Sequence, residues 1–482
     1  SLFFRKNYMT LLLSLILTFG VAGPVSGQSE GDYRSRQTGN WNVAASWQIF
    51  TNGNWTDATG TPDHTAGLIT ILSGHTITVT ANVTVDRLVI DLGGTVRIGP
   101  SDNLSMDVVN TSSYVTVNGR IIFTGENYIS GAGTFTLAPG GTIEIGSANG
   151  ITTTTTNGNL RNTTKSLSPA AHYIYNGTVA QEVGSAYPNN LTGSLTIDNS
   201  SGVSCGIRTI TNGDLNLVKG VFSIPGSGLT RFRLINSASL YRSGGSLSGG
   251  LGSGVYHVFY QGESKTTTGE LSGSGLNNIT INLEPGEILT LDRNRSPNGN
   301  LTINSGIFDI STYTFDRQVS GGGSMTLEEG TVLRLGGSSN FPLNFSYVLN
   351  PGSTVEYNGL ITQTVSSNVT YSNLTLSGSS NKQFLVKITI NDNLSIEGSG
   401  LTKALINDGI QCETGSLIIN DYYQQPGIWG GSASSARWKS AAYFGSSTTG
   451  TLLVQASCTP GRWFGNTSSD WGNGDNWCGG TV

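Results

Sequence analysis

Acidic and basic residues that could act together on a substrate are concentrated in one stretch of the chain. The first group is Asp292, Arg293 and Arg295. The second group, about one repeat of ~20 residues further on, is Asp309, Asp316 and Arg317. Cleavage of a glycosidic bond requires two carboxyl groups about 5–10 Å apart, so these residues are the candidates for a carbohydrate-active enzyme. Their Asn/Gly/Pro-rich context is typical of solvated turns, and we favour this structural interpretation.

Histidine spacing does not indicate a catalytic or metal-binding site. The four histidines are His64, His75, His172 and His257. They form no HExxH motif, and no Ser-His-Asp set can be recognised around them. We therefore predict no catalytic residue, no metal and no cofactor.

The four cysteines also lack the CxxC spacing of zinc or redox sites. Cys458 and Cys478 flank one compact aromatic segment and could form a disulfide after export. Cys205 and Cys412 are far apart in the sequence, and we interpret them as buried free thiols.

Four aromatic residues near the end of the regular region could stack on sugar rings. They are Tyr422, Tyr423, Trp429 and Trp438. Large aromatic side chains usually bury much of their area, so packing within a closing cap is the alternative, and we favour it. A ligand-contact role remains open at this point.

The composition indicates which elements position these residues. The chain has 482 residues with 67 Gly, only 11% charged residues and 36% hydrophobic residues. Its net charge of −5 lacks the basic footprint that nucleic-acid binding requires. Thr, Ser, Asn, Val, Ile and Gly predominate over strong helix formers, which favours strands joined by many turns. We expect an all-β protein.

A short apolar-polar-apolar strand phrase recurs at the spacing of stacked coils. Leu195 and Leu215 are 20 residues apart, Ile279 and Leu301 are 22 apart, and Leu374 and Leu394 are 20 apart. This period predicts a parallel β-solenoid with aliphatic residues inside, Thr and Ser outside and Asn ladders along the stack. A jelly roll or an array of Ig-like sandwiches is the alternative, but neither predicts this spacing.

Further features suggest how the chain is divided. Arg5 and Lys6 precede the apolar run 11–23, which is short for a membrane span and typical of a secretory signal peptide. Tryptophans recur near both ends of the chain. We predict a signal peptide at 1–27, a Trp-rich N-terminal cap at 28–66, a solenoid with internal repeats at 67–456 and the truncated start of a second module at 457–482.

Together these features resemble the large secreted β-solenoid proteins of Bacteroidota. The resemblance rests on the signal peptide, the Trp-rich segment before Ile69-Thr70-Ile71, the unit from Tyr357-Asn358-Gly359 to Asn373-Leu374-Thr375-Leu376, and Asn476-Trp477-Cys478. It implies a right-handed parallel β-helix, a cell-surface location through a C-terminal sorting domain that is missing here, and adhesion. It supplies no catalytic residues.

The expected function is that of a non-enzymatic, secreted or cell-surface structural or adhesive repeat protein. The alternatives are a β-helical polysaccharide lyase or glycosidase, or a carbohydrate-binding module. Extracellular polysaccharide and host or cell-surface components are the expected partners. Nucleic acid is not expected, nor is a membrane-spanning segment once the signal peptide is removed.

Overall fold

A computed structural model of the chain describes residues 27–107, 112–206, 208–224, 232–398, 400–455, 463 and 468–477. The predicted signal peptide therefore lies outside the described residues, apart from Gly27. Short 3-10 helices occur at Ala44–Ser46, Gly269–Leu271 and Gly474–Asn476. The other regular elements are β-strands, as the composition predicts.

Most strands are short, because the chain turns at a corner of the coil after every few residues. The first group is β1 Tyr33–Ser35, β2 Gly39–Asn40, β3 Trp47–Thr51, β4 Asn54–Asp57, β5 Leu68–Ile71, β6 Thr76–Val79, β7 Val83–Val85, β8 Arg87–Ile90, β9 Thr95–Ile98, β10 Leu104–Met106, β11 Tyr114–Val117, β12 Arg120–Phe123, β13 Ile129–Leu137, β14 Thr142–Ile145 and β15 Leu160–Leu167. The second group is β16 His172–Tyr175, β17 Gln181–Glu182, β18 Asn190–Leu191, β19 Ser194–Asp198, β20 Val203–Ser204, β21 Thr209–Thr211, β22 Asp214–Lys219, β23 Val221–Ser223, β24 Arg233–Ile235, β25 Ala238–Arg242, β26 Ser246–Ser248, β27 Tyr256–Gly262, β28 Lys265–Thr266 and β29 Leu276–Leu283. The third group is β30 Ile288–Thr290, β31 Leu301–Ser305, β32 Ile307–Asp309, β33 Ser324–Leu327, β34 Val332–Leu335, β35 Ser346–Leu349, β36 Thr354–Tyr357, β37 Gln363–Thr364, β38 Asn373–Leu376, β39 Ser380–Phe384, β40 Thr389–Ile396, β41 Thr402–Ile406, β42 Gln411–Ile419, β43 Tyr422–Tyr423, β44 Gly427–Gly430, β45 Trp438–Lys439 and β46 Thr451–Val454.

These strands stack into long parallel sheets, and the fold is an all-β parallel solenoid, as predicted. Sheet 2 has 14 strands in the order β2-β6-β9-β12-β14-β16-β19-β22-β25-β27-β29-β31-β33-β35. At about 4.8 Å per strand, this sheet alone extends over roughly 60 Å. Sheet 1 has ten strands, in the order β4-β3-β1-β5-β8-β11-β13-β10-β7 with β15 paired to β13, and its strands belong to the same coils as the first part of sheet 2. Sheet 5 runs from β28 to β46, beside the last part of sheet 2 and then beyond it.

The three residue pairs selected from sequence spacing are direct neighbours in this stack. Leu195 pairs with Leu215, Ile279 with Leu301, and Leu374 with Leu394. All six side chains are buried in one continuous apolar core. The polar residue of each phrase points outward, because successive side chains of a strand alternate between its two faces. The predicted coil period is therefore confirmed.

Asparagine side chains join successive coils at the start of the strand phrase. The Asn278 Oδ1 accepts the backbone N–H of Asn300 at 2.9 Å, and the Asn300 Oδ1 accepts the backbone N–H of Ser324 at 2.9 Å. Further along, the Asn393 Nδ2 donates to the Asn373 Oδ1 at 2.8 Å. The predicted Asn ladders are thus present at these positions.

The sheets that accompany sheet 2 change along the solenoid axis. Sheet 1 ends with β15, and the next coils carry two short strands in its place. These form sheet 3, in the order β17-β20-β23-β26, and sheet 4, in the order β18-β21-β24. Sheet 5 follows from β28 onward. The exchange of one sheet for another leaves an irregular surface, and it is there that the main cavities occur.

Tryptophans near the two ends of the chain share one local geometry. Trp41 and Trp47 are buried, and the Trp47 indole N–H donates to the Trp41 carbonyl at 2.7 Å. The Trp477 indole donates to the Trp471 carbonyl at the same distance. The assignment of these segments as a cap and as the start of a second module stays a prediction.

Candidate functional site: a polar groove beside sheet 3

Open cavities border sheet 3 and the turns that follow its first two strands. Three neighbouring cavities have volumes of about 500, 370 and 430 Å³. Ser185 borders the first and the second, and Glu182 borders the second and the third, so the three form one depression. A fourth cavity of about 420 Å³ begins at Leu247, on the last strand of the sheet. We call these cavities together the sheet-3 groove.

Sheet 3 supplies the middle of the groove. Its inward residues are Gln181, Val203, Phe222 and Leu247, all buried. Its outward residues lie in register as Glu182, Ser204, Ser223 and Ser248. We call the last three the serine column. Alternation along each strand places these hydroxyl groups on the outside, where they can donate and accept hydrogen bonds.

The turn after β17, which borders the groove, contains a buried hydroxyl group without a partner among the described residues. The Tyr187 side chain borders the 500 Å³ cavity, and its OH forms no hydrogen bond to any described residue. Burial raises the pKa of Tyr187 well above its ordinary value, so the phenol stays protonated and able to donate. Lys165 borders the same cavity, and partial burial lowers its pKa.

The C-terminal end of the groove is formed by the first charged group found in the sequence. The Asp292 carboxylate accepts hydrogen bonds from Arg293 Nε at 2.7 Å and from an Arg295 terminal nitrogen at 2.7 Å. Burial alone would raise the pKa of Asp292, but hydrogen bonds from Thr267, Arg295 and Arg293 lower it below the ordinary value. We call Asp292, Arg293 and Arg295 the arginine end. It carries a net charge of +1.

The two arginines of this end differ in exposure. The Arg293 side chain is 70% exposed, whereas that of Arg295 is 6% exposed. Arg295 is held by the Thr268 carbonyl at 2.7 Å as well as by Asp292. Its Nε is buried and has no hydrogen-bond partner among the described residues. The terminal nitrogens of the exposed Arg293 are therefore the guanidinium donors of this cavity that a ligand can reach.

A buried ion pair supports the wall from inside. The Glu270 carboxylate is fully buried and contacts the Arg242 guanidinium. It also accepts the Tyr260 hydroxyl at 2.9 Å and the Thr268 backbone N–H at 3.0 Å. These donors satisfy Glu270 within the core, so it is a structural residue that holds the Thr268 turn beside Arg295.

The second charged group predicted from the sequence lies on the coil next to the first, but its side chains have other partners. Asp309 lies 3.9 Å from Arg334, and Asp316 accepts the Leu343 backbone N–H at 2.8 Å. Arg317 donates to the backbone carbonyls of Val319 and Gly321. These three residues hold turns, as the structural interpretation predicts. Among the described residues bordering the fourth cavity, Asp292 is the only carboxylate.

The predicted ligand-contact aromatics lie together at the closing end of the solenoid. Trp429 and Trp438 stack with ring centroids 5.9 Å apart, and both indole N–H groups donate to nearby backbone carbonyls, those of Gln425 and Pro426. Trp429 packs against the core, and Tyr423 pairs with the preceding strand. Tyr422 is the exposed member of this set, with 66% of its surface accessible. Packing explains the two tryptophans; a ligand role stays a prediction.

Sequence reasoning overlooked another aromatic pair. Tyr241 and Phe259 are register neighbours on the outer face of sheet 2, with stacked rings 4.8 Å apart. Both are partly exposed and stand where Thr196, Thr280 and Thr302 stand in other coils. An aromatic residue at the outward position of the strand phrase was the available signal. The sequence signal for the serine column was weaker, because only a pair of residues, an apolar one followed by Ser, recurs there.

The cysteines do not contribute a reactive group to the described part of the groove. Cys205 borders the groove but is buried and unbridged, and burial raises its pKa to about 12. Cys412 is likewise a buried free thiol. The predicted disulfide between Cys458 and Cys478 lies outside the described residues.

Neither a cluster of metal-ligating side chains nor a membrane-spanning helix is present in the part of the chain that the structure describes. His, Cys, Asp and Glu side chains nowhere come together there in groups of three that could hold a metal ion. Across the same residues, no helix has the length and apolar character needed to cross a bilayer.

No protein-family model, no curated protein and no solved structure matches this sequence.

Proposed function

We propose that this chain is a non-enzymatic, secreted or cell-surface adhesive rod that holds an extracellular polysaccharide along the sheet-3 groove. The observation that carries the proposal is the serine column, which lies in register between cavities at both of its ends. A row of hydroxyl groups repeated every ~4.8 Å suits a ligand that is itself linear and rich in hydroxyl groups.

The dimensions support an elongated ligand. From Glu182 to Arg293 the groove crosses six successive coils, which is about 24 Å at the spacing of parallel strands. The buried inward column keeps this surface rigid, because each coil packs on both of its neighbours. A rigid surface loses little conformational entropy when a ligand binds.

A β-helical carbohydrate-active enzyme is the second candidate, and the arginine end is the observation that favours it. Asp292 is a carboxylate in a cavity beside two guanidinium groups. However, its lowered pKa and its three hydrogen-bond donors make it a poor proton donor or acceptor. The carboxylate of Glu270 behind it is fully buried and fully paired. These contacts favour binding over catalysis.

One experiment separates the two candidates. The purified chain is mixed with linear polysaccharides, and its retention is measured by affinity electrophoresis while reducing ends and unsaturated sugar products are assayed in the same samples. We expect retention without new reducing ends or unsaturated products. Reproducible depolymerisation would overturn the proposal in favour of the enzyme.

Fractionation of the producing cells tests location, and an intracellular pool alone would contradict surface display.

A further inference from the structure

We infer that the arginine end recognises a carboxylate on the polysaccharide, so that the ligand of the sheet-3 groove contains uronic acid units. This inference rests on the proposed function and specifies its substrate class. It is carried by the cavity at Asp292, Arg293 and Arg295, by the charge of that cavity and by the donors that Arg293 leaves unused.

The cavity has the charge that an anion requires. Its described lining contains two guanidinium groups and one carboxylate, and the other lining residues are Leu247, Gly249, Gly250, Thr268, Gly269 and Ser272, which are uncharged. Asp292 binds one nitrogen of each arginine and orients both side chains. The excess of one positive charge remains for a ligand.

The guanidinium groups also have free hydrogen-bonding capacity. Arg293 uses only its Nε within the described chain, so its terminal nitrogens remain for a ligand. Arg295 is fixed in place by Thr268 and Asp292, so it contributes its positive charge to the cavity wall. A planar carboxylate matches the fork of donors that a guanidinium presents, and such charged hydrogen bonds are stronger than neutral ones.

The position of the cavity links this anion site to a sugar chain. The Thr268 hydroxyl accepts the backbone N–H of Leu247 at 3.2 Å, so the coil that bears the cavity continues directly from the strand of Ser248. Gly269 permits this close approach, since a Cβ there would meet the Gly249 carbonyl oxygen at 1.8 Å. A ligand lying along the serine column would therefore have the arginine end on the next coils beyond Ser248.

The test uses calorimetric titration of the full chain with four oligosaccharides of about equal length. They are an oligogalacturonide, its methyl ester, a neutral oligoglucoside and a sulfated oligosaccharide. We expect the oligogalacturonide to bind roughly tenfold or more tightly than its methyl ester, because esterification removes the charged hydrogen bonds. We also expect this preference to weaken as salt is raised, because the site is partly exposed.

Two variants locate the effect. Arg293→Gln removes an exposed guanidinium with little risk to folding, and it should reduce oligogalacturonide affinity to that of the ester. Arg437→Gln, in an exposed arginine that lies over Trp438 at the closing end, is the matched control and should bind like the wild type.

Each contrary outcome has a distinct meaning. Equal binding of the acid and its ester, tighter binding of the sulfated sugar, or an unaffected Arg293→Gln variant would overturn the uronic acid assignment and leave the adhesive proposal standing. Failure to bind any of the four sugars would overturn the ligand class altogether. Cleavage of the oligogalacturonide would overturn the non-enzymatic proposal while leaving the recognition of carboxylate intact.

Discussion

Gln181 and Gln363 make the same set of hydrogen bonds in two distant coils. Each buried side-chain amide donates to two backbone carbonyls of the preceding coil, at 2.7 to 3.0 Å. Each Oε1 accepts the N–H of the glycine four residues earlier, Gly177 or Gly359, at 2.8 Å. Each glutamine follows a Tyr-Asn-Gly sequence, Tyr175–Gly177 or Tyr357–Gly359, and joins its coil to the preceding one; we call each of these arrangements a brace.

Replacing the brace should destabilise the solenoid locally. Gln363→Leu leaves several buried backbone groups without partners, and each such group costs about 1–3 kcal/mol. We therefore expect the free energy of unfolding to fall by about 3–5 kcal/mol. Hydrogen exchange of the Gly359 amide should accelerate accordingly. The exposed neighbour of the first brace offers a control, since Glu182→Gln should change stability by less than about 0.5 kcal/mol. Unchanged exchange at Gly359 would contradict the assignment.

The effects of a buried and of an exposed side chain on stability can be compared within one strand. Leu301 is fully buried and Thr302 points outward. Leu301→Ala should cost about 2–5 kcal/mol through lost contacts and a residual cavity, and Thr302→Ala should stay within about 0.5 kcal/mol. Guanidinium titration of the two variants measures the difference. Equal losses would show that the inward and outward assignment is wrong.

The buried lysine beside the second brace should make stability depend on pH. Lys382 is fully buried, and its Nζ donates to the Gly359 carbonyl and the Gln363 Oε1. Burial lowers the pKa of Lys382 to about 8. Between pH 8 and the ordinary lysine value, the unfolded chain holds a proton that the folded chain has lost. The free energy of unfolding should therefore rise with pH across this window.

The size of this effect can be measured by substitution. The rise from pH 7 to 9.5 should approach 2 kcal/mol, at about 1.4 kcal/mol per pH unit above pH 8, and Lys382→Met should abolish it. The exposed Lys219→Met is the matched control and should follow the wild type. A rise of equal size in the Lys382→Met variant would refute the role of this residue.

Removing one partner of the ion pair behind the arginine end should lower stability more than removing both charges. Arg242→Met leaves the Glu270 carboxylate buried without its charged partner, which typically costs about 3–5 kcal/mol. The double variant Arg242→Met/Glu270→Gln removes the charge but retains an acceptor for the Tyr260 hydroxyl. It should therefore recover more than half of the loss in thermal unfolding. If the double variant is less stable than Arg242→Met, the charge is not the cause.

The coil period could be predicted from the sequence because burial constrains it. Leu195 and Leu215 must both fill the interior, so their spacing records the length of one turn. Burial does not constrain the spacing of residues on the outer surface of the coils in this way. Ser204 and Ser223 face solvent and are joined to the long sheet by turns of variable length, so their register was not predictable.

The candidate site was predictable only in part for the same reason. Asp292, Arg293 and Arg295 are close in sequence, and the fold keeps them together. Asp316 was grouped with them by the coil period alone, but the turn directs it to the Leu343 amide instead. Replacement of sheet 1 by sheet 3, which creates the groove, left no periodic signal in the sequence.

The most direct test of the account asks whether the sheet-3 groove is where polysaccharide binds. Wild type, Ser223→Trp and Thr302→Trp are compared on an immobilised panel of linear polysaccharides; the second variant places the same bulk on the outer face of sheet 2. We expect wild type and Thr302→Trp to bind the same members of the panel, and Ser223→Trp to lose them because its indole fills the serine column. Equal binding by both variants, with both folded, would contradict this expectation.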